Sequence, residues 1–398
     1  MNLMLLPIFV MSLFSLIEFL FPDQRRMNNQ LFKLAFFIVY SIIAVKYYYG
    51  PDIRLYVPLY DKIESPWDIF LNGTVVGSNV EIGFVFFCSI FKWLGFSFWF
   101  FTFTITSIYF LAIYKLFNKL DKYKTFALFA LVVFEANILF FEYRQSLSVA
   151  FYIFSILAYF DKKYSRFILF SILSILFHKS AILVCLLTFT MLFLPTITYS
   201  KKYYILLLIC LVTCIFFSIG DIATLLTKIL PFNSGAIFSI KHHLTIEKNI
   251  QVVLFTYIIG IYSLYYYGKE RNYKRYYALM LSFILFIAIF YKYWFFLGRF
   301  RSCFMPLIIV FVIKEITDNQ YKSVFLKQLL VLSVYTYCFF YTRGVFLSNE
   351  NSATKVLNAT TIFTLKDESE EQIKAKNIKL ANKYFDTEYL KNHIKDTN

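Results

Sequence analysis

Charge is scarce in this chain: Asp, Glu, Lys and Arg together make up 16% of its 398 residues, against 59% hydrophobic residues and 22% aromatics. A soluble domain of this length cannot hide so much apolar surface, which excludes that class. The period-two alternation of polar and apolar residues that a transmembrane β-barrel needs is also missing. The first 21 residues lack an early basic cluster and a small-residue cleavage site, and their basic flank, Arg25 and Arg26, follows the apolar run. The segment therefore reads as a first spanning helix that stays attached, not as a signal peptide. No internal repeat is evident, which weighs against a secondary transporter. The cysteines, Cys88, Cys185, Cys210, Cys214, Cys303 and Cys338, all lie in apolar runs without metal-ligand spacing. They read as buried thiols, and neither a metal nor another cofactor is expected.

What fills the chain instead is one long apolar run after another, such as "YYILLLICLVTCIFFSI" (203–219) and "YALMLSFILFIAIF" (277–290). Their number and length predict an all-α, polytopic integral membrane protein of about 11–14 transmembrane helices. Residues 1–342 read as a single membrane domain with external loops around 49–80 and 220–250, and 343–398 as a charged, partly helical tail. The formal net charge of +16 would suggest nucleic acid in a soluble protein. Here the basic residues sit in short loops between apolar runs, where anionic lipid or a phosphorylated substrate is the expected partner and nucleic acid is not.

The basic loops set the sidedness. Arg25–Lys33, Lys115–Lys124, 161–166, 199–203, 268–275 and Lys314–Lys322 all read as cytoplasmic. The chain must then leave and return between 124 and 161, turning near Glu142–Gln145, and again between 166 and 199, turning at "HKS" (178–180). A single helix over 166–194 would be roughly 43 Å long and would put "GKERNYKR" (268–275) outside, so the hairpin is the better reading. A further outer turn is expected around 291–301. Parity also asks for a short re-entrant or surface piece around 82–95. Arg144, His178, the 220–249 loop, Arg299 and Arg301 then share the external level.

Ionisable groups beside hydrocarbon are costly and usually face a protein interior or an aqueous cavity. Arg144 and Arg299 are therefore candidate lining residues, with snorkelling to the interface as the alternative. Arg301, two residues from Arg299, points to a different helical face. His178 can take a hydroxyl proton or orient a phosphate, or merely bond a neighbouring helix end. Lys179 follows it and can reach outward to lipid. Glu142 can pair with Arg144 or with an arginine elsewhere. His242 and His243, near Lys241 and Lys248, suggest anion contact or a solvated loop. In "GPDIRLYVPLYDKI" (50–63), Tyr56 and Tyr60 are interleaved with Asp52 and Asp61, and Glu64 follows. Such a surface can stack and hydrogen-bond sugars, or it can be an interfacial aromatic belt.

These segments stand in a telling order: "GPDIRLYVPLY", "EIGFVFFCSIFKWLG" (81–95), "YRQSLSVAFYIFSI" (143–156), "FHKSAI" (177–182) and "GRFRSCFMPL" (298–307). In that order and spacing, with the Arg144–Gln145 pair opening one helix and His178 closing the next, the chain resembles the EpsG/Wzy-like family of bacterial polysaccharide polymerases. It departs from the family pattern at Ile53, where a tyrosine often stands, and at Leu147, where a small residue is common. The resemblance implies a multi-pass protein of the bacterial cytoplasmic membrane. It implies a substrate of undecaprenyl-pyrophosphate-linked oligosaccharide joined at the external face, with a chain-length regulator and a flippase of the same pathway as candidate partners. In that scheme Arg144 and Arg299 stabilise the departing pyrophosphate and His178 handles the acceptor proton. Asp52, Tyr56, Tyr60, Glu142, Gln145, Lys179, His242, His243 and Arg301 are then candidate substrate contacts. No metal is required. The alternatives are a flippase for the same lipid-linked oligosaccharide, a lipid-phosphate-sugar glycosyltransferase with Asp52 or Asp61 as base, and an acyltransferase using His178.

Overall fold

The computed structural model describes residues 5–45, 52–63, 65–67, 80–135, 138–139, 142–193 and 294–318, with the helical, exposed Gln372 and Ala375 of the tail. The expectations for 203–290, including the 220–250 loop with His242 and His243, and for the rest of the tail lie outside the described residues. Every described element of length is a helix, and no strand occurs among the described residues. In chain order they are α1 (Leu5–Leu20), α2 (Arg25–Ala44), α3 (Ile53–Lys62), α4 (Ile82–Trp93) and α5 (Phe98–Phe117). There follow α6 (Lys124–Phe134), α7 (Tyr143–Phe160), α8 (Tyr164–Phe177), α9 (Ala181–Phe193) and α10 (Trp294–Asp318). Among the described helices, α2 and α5, at 20 residues each, are long and apolar enough to cross a membrane. Twenty residues rise about 30 Å, the thickness of the hydrocarbon layer.

The chain forms two units, Met1–Lys179 with Met305–Asn398, and Ser180–Phe304. In the first, α1 and α2 pack on each other and on α6, α2 also packs on α5, and α7 lies between α5 and α8. The start of α6 shows why these contacts hold. Tyr123 precedes it in the left-handed region (φ 60) and gives no side-chain cap. A helix start leaves backbone N–H groups without partners. The buried Glu18 of α1 supplies them, accepting from the N–H groups of Lys124 (2.9 Å), Thr125 (3.0 Å) and Phe126 (3.2 Å). A carboxylate at the positive end of a helix dipole is favourable.

The α7–α8 hairpin is tied by serines. Ser148 Oγ donates to Ser174 O (2.9 Å), and Ser174 Oγ donates to Ser148 O (2.8 Å). Two turns further down, Ser155 meets Phe167 O (3.1 Å) and Ser171 Oγ (2.7 Å). Small side chains let helix backbones approach, and hydroxyl bonds between helices matter most where water is absent. The turn below is closed by Lys162 in the left-handed region (φ 60). Lys162 N–H bonds Tyr159 O (2.9 Å) and Lys163 N–H bonds Ala158 O (2.8 Å), the pairing that ends a helix at a left-handed residue. This hairpin breaks where the sequence placed its breaks, at 142 and at 178.

Two stretches differ from the sequence reading. Residues 53–62, expected within an external loop, form α3. It places Ile53, Tyr56, Val57, Leu59 and Tyr60 in a core with Phe84, Phe98, Phe101 and Tyr143. Burial of that apolar face, spaced for a helix, outweighs Pro58 and the polar neighbours. Residues 294–301, expected at an outer turn, already belong to α10, so Arg299 and Arg301 lie on a helix and not in a connection. The short piece expected around 82–95 is α4, which ends at Gly95 (φ 78) before Ser97 caps α5 by accepting from Phe100 N–H (3.3 Å).

Candidate functional site

The register of the hairpin decides what meets at its open end. Ser148 faces Ser174, so one turn beyond that pair the two helices present Arg144 and His178 at the same level. His178 is the first residue past α8, extended and buried, its N–H still bonded to Ser174 O (3.2 Å).

A third element comes to this point because of a glycine. A Cβ placed on Gly83, in the first turn of α4, would stand 2.6 Å from Leu176 O and 2.8 Å from Leu176 C and Cβ. Only a residue without a side chain lets α4 start against the last turn of α8. Two residues earlier is Glu81, the residue just before α4, and its carboxylate lies in the open end of the hairpin.

Glu81 divides its oxygens. Oε2 takes an ion pair from Arg144 Nη1. Oε1 accepts the backbone N–H of Lys179 (3.2 Å) and stands 4.0 Å from His178 Nδ1. Arg144 Nε donates to Tyr56 Oη on α3, and the guanidinium also lies over the Tyr56 ring, 5.4 Å from its centre. The side chains of Glu81 and His178 are 8% exposed and that of Arg144 is 17% exposed, so the arginine is the most accessible of the three. Burial works against the Glu81 carboxylate, and Arg144 and then His178 overcome it, holding its pKa below the ordinary value.

Of the residues singled out from sequence, Arg144, His178 and Tyr56 meet here, joined by the backbone of Lys179. Lys179 itself is exposed. Tyr56 and Tyr60 are both buried, so they form no open aromatic surface. Tyr60 points elsewhere: its Oη donates to Phe96 O (2.8 Å), and Lys92 Nζ lies 5.5 Å over its ring. Asp52 and Glu142 take the positions before α3 and α7, and their carbonyls accept from Tyr56 N–H (2.9 Å) and Ser146 N–H (2.8 Å). Gln145 is buried in the first turn of α7, and Arg301 is half-buried on α10. The side chain of Arg299 lies outside the described residues. No group of three or more His, Cys, Asp or Glu suited to a metal occurs among the described residues.

The sequence reading missed Glu81. Its signal was present, since it is a lone acid at the head of the apolar run 82–91, the same argument that marked Arg144. Ser78 and Asn79 stand just before it in the sequence and mask that signal.

The model of the EpsG family matches residues 29–358, and the chain belongs to that family. Neither the curated proteins nor the solved structures give a significant match. Membership supports a role in polysaccharide polymerisation at a membrane.

Proposed function

We propose that this EpsG-family chain is a multi-pass polymerase of the bacterial cytoplasmic membrane that joins undecaprenyl-pyrophosphate-linked oligosaccharides by glycosyl transfer at the external face. The observation that carries the reading is the meeting of an arginine, a carboxylate and a histidine at one end of the α7–α8 hairpin, drawn from segments 81, 144 and 178. Simple binding of a pyrophosphate needs cations. A histidine set against a carboxylate is the arrangement of a group that moves a proton.

In the proposed step, the hydroxyl of an acceptor unit attacks the anomeric carbon of the growing chain. The new bond forms between that carbon and the hydroxyl oxygen. The carbon–oxygen bond to the pyrophosphate breaks, and its electron pair leaves with the lipid pyrophosphate. The hydroxyl proton passes to His178. Arg144 and Arg299 meet the charge that develops on the leaving group, which is where fixed cations contribute most. The candidate contacts Asp52, Glu142, Gln145, Lys179 and Arg301 would hold the sugars and the phosphates. A lipid-borne substrate would enter from the side, between helices.

The test is reconstitution of the purified protein with a lipid-linked repeat unit. A ladder of products supports the polymerase. Movement of the unit across the bilayer without elongation would replace it with the flippase reading.

A further inference from the structure

We infer that Glu81 is the positioning residue of this site: by facing His178 Nδ1 while holding Arg144 and the Lys179 N–H, it selects the imidazole tautomer whose Nε2 carries the lone pair that takes the acceptor's proton. The inference rests on the polymerase reading and adds to it a residue and a function for its carboxylate.

The geometry supports this in three ways. First, a carboxylate beside one ring nitrogen favours the proton on that nitrogen, leaving the lone pair on the other. The 4.0 Å between Glu81 Oε1 and His178 Nδ1 is longer than a hydrogen bond and becomes a contact of opposite charges when the ring takes a proton. Catalytic hydrogen bonds are commonly longer before substrate binds. Second, Glu81 is itself fixed. Its two oxygens are held by α7, through Arg144, and by the turn after α8, through Lys179 N–H. Its backbone is fixed as well, because its carbonyl accepts Phe84 N–H (3.0 Å) and Val85 N–H (3.1 Å) at the start of α4. Third, the same oxygen serves both parts of the histidine turn: Oε1 accepts the Lys179 N–H (3.2 Å) and stands 4.0 Å from His178 Nδ1, so the carboxylate is set against the ring as well as against the arginine.

Among the described residues, the charged and titratable side chains facing Glu81 are Arg144 from α7 and His178 from the turn after α8, with Tyr56 and Asp52 of α3 and its start behind that arginine; Lys179 contributes its backbone N–H. Removing the carboxylate takes the anion of this group away from His178 and leaves the arginine cation. Protonation of the ring then becomes harder, so the ring stays neutral into more acid conditions and the acidic limb of a pH–rate profile moves to lower pH. The tautomer preference is lost at the same time.

The experiment compares wild type, Glu81→Gln and Glu81→Asp in the full-length reconstituted protein, measuring single-turnover elongation of a lipid-linked repeat unit from pH 5 to 9. Glu81→Gln is expected to elongate on the order of 100-fold more slowly, the scale seen when an outer partner of a histidine is lost. Its acidic limb should also move to lower pH, and Glu81→Asp should recover part of the rate and the wild-type limb. A Glu81→Gln protein with wild-type rate and profile overturns the inference while leaving the polymerase reading intact. A wild-type protein that makes no polymer from such a unit removes the polymerase reading itself. If Glu81→Gln does not fold, the wild type still decides: nitrogen NMR of histidine-labelled protein, assigned with His178→Gln, should show the proton on Nδ1. A proton on Nε2 refutes the role.

Discussion

Gly83→Ala tests the placement of this site without touching any reacting group. In most helices the change from glycine to alanine stabilises by up to about 1 kcal/mol, through backbone entropy and propensity. Here the sign should reverse. The new methyl would stand 2.6 Å from Leu176 O, against the 3.4 Å at which ordinary contact begins. The neighbour is backbone within α8, so no side chain can swing aside. The helices must part locally by about 0.8 Å, the gap between those distances. Overpacking of this kind typically costs about 1–3 kcal/mol. The displacement falls two residues from Glu81 and two from His178, so both ends of their contact shift. A misplacement near 1 Å at a reacting centre can cost about 100-fold in rate. Thermal unfolding in detergent and single-turnover elongation on the same preparation measure both effects. A Gly83→Ala protein that melts at or above wild type and elongates normally would refute the close approach and the reasoning built on it.

Arg144→Ala should abolish polymer in a protein that still folds, and Arg144→Lys should rescue poorly, because lysine cannot bond Tyr56 Oη and Glu81 together from one planar fork; normal chain length from the alanine variant, read on a polymer gel, removes Arg144 from the reaction. On α10, Arg299→Ala should lose far more elongation than Arg301→Ala in the purified assay, and the reverse order assigns the site to the other face of the helix. The depressed pKa of Glu81 contributes stability above the unfolded carboxylate value, near 4.3, that is lost as pH falls through the lower folded value. The wild-type melting temperature should therefore show this loss only below about pH 4, and the loss should be smaller in Glu81→Gln, while an equal acid response in the two proteins rejects the linkage.

Much of the frame was open to reading because one physical signal, apolar length between basic loops, sets both helix and turn. It located the break before Tyr143 and the break at His178, and with them the shared level of Arg144 and His178. It failed at α3, where turn residues and charge in "GPDIRLYVPLYDKI" concealed an apolar helical face, since periodicity over ten residues is weak beside a glycine, two prolines and four charges. The serine ladder was illegible for another reason. Single serines in an apolar run signal nothing until a second helix stands opposite, and the pairing of 148 with 174 is a tertiary fact. The same holds for Glu81 and Arg144. A partner for the arginine was sought two residues away at Glu142, whereas i and i+2 lie on different helix faces, and the ion pair was made across 63 residues of chain.

These long-range pairs also bear on how the proposed reaction would balance its charge. Before the reaction, the Arg144 cation and the Glu81 anion face each other, and His178 is a neutral base. As the hydroxyl proton moves to His178, an imidazolium forms beside Glu81, and as the pyrophosphate departs, negative charge builds near Arg144. Glu81 can then exchange one cation for another while Arg144 turns to the leaving group. In this scheme the carboxylate is never left unpaired, which is the costly condition in a buried site. In the same scheme the second phosphate would be met by Lys179, which is exposed. Residues that act through such an exchange are not independent, and their losses should not add. Once His178 can take no proton, Glu81 has no imidazolium to receive. The double variant Glu81→Gln with His178→Gln should therefore elongate about as slowly as His178→Gln alone. A loss equal to the product of the two single losses would show that the two residues serve the reaction separately, and the exchange would have to be abandoned.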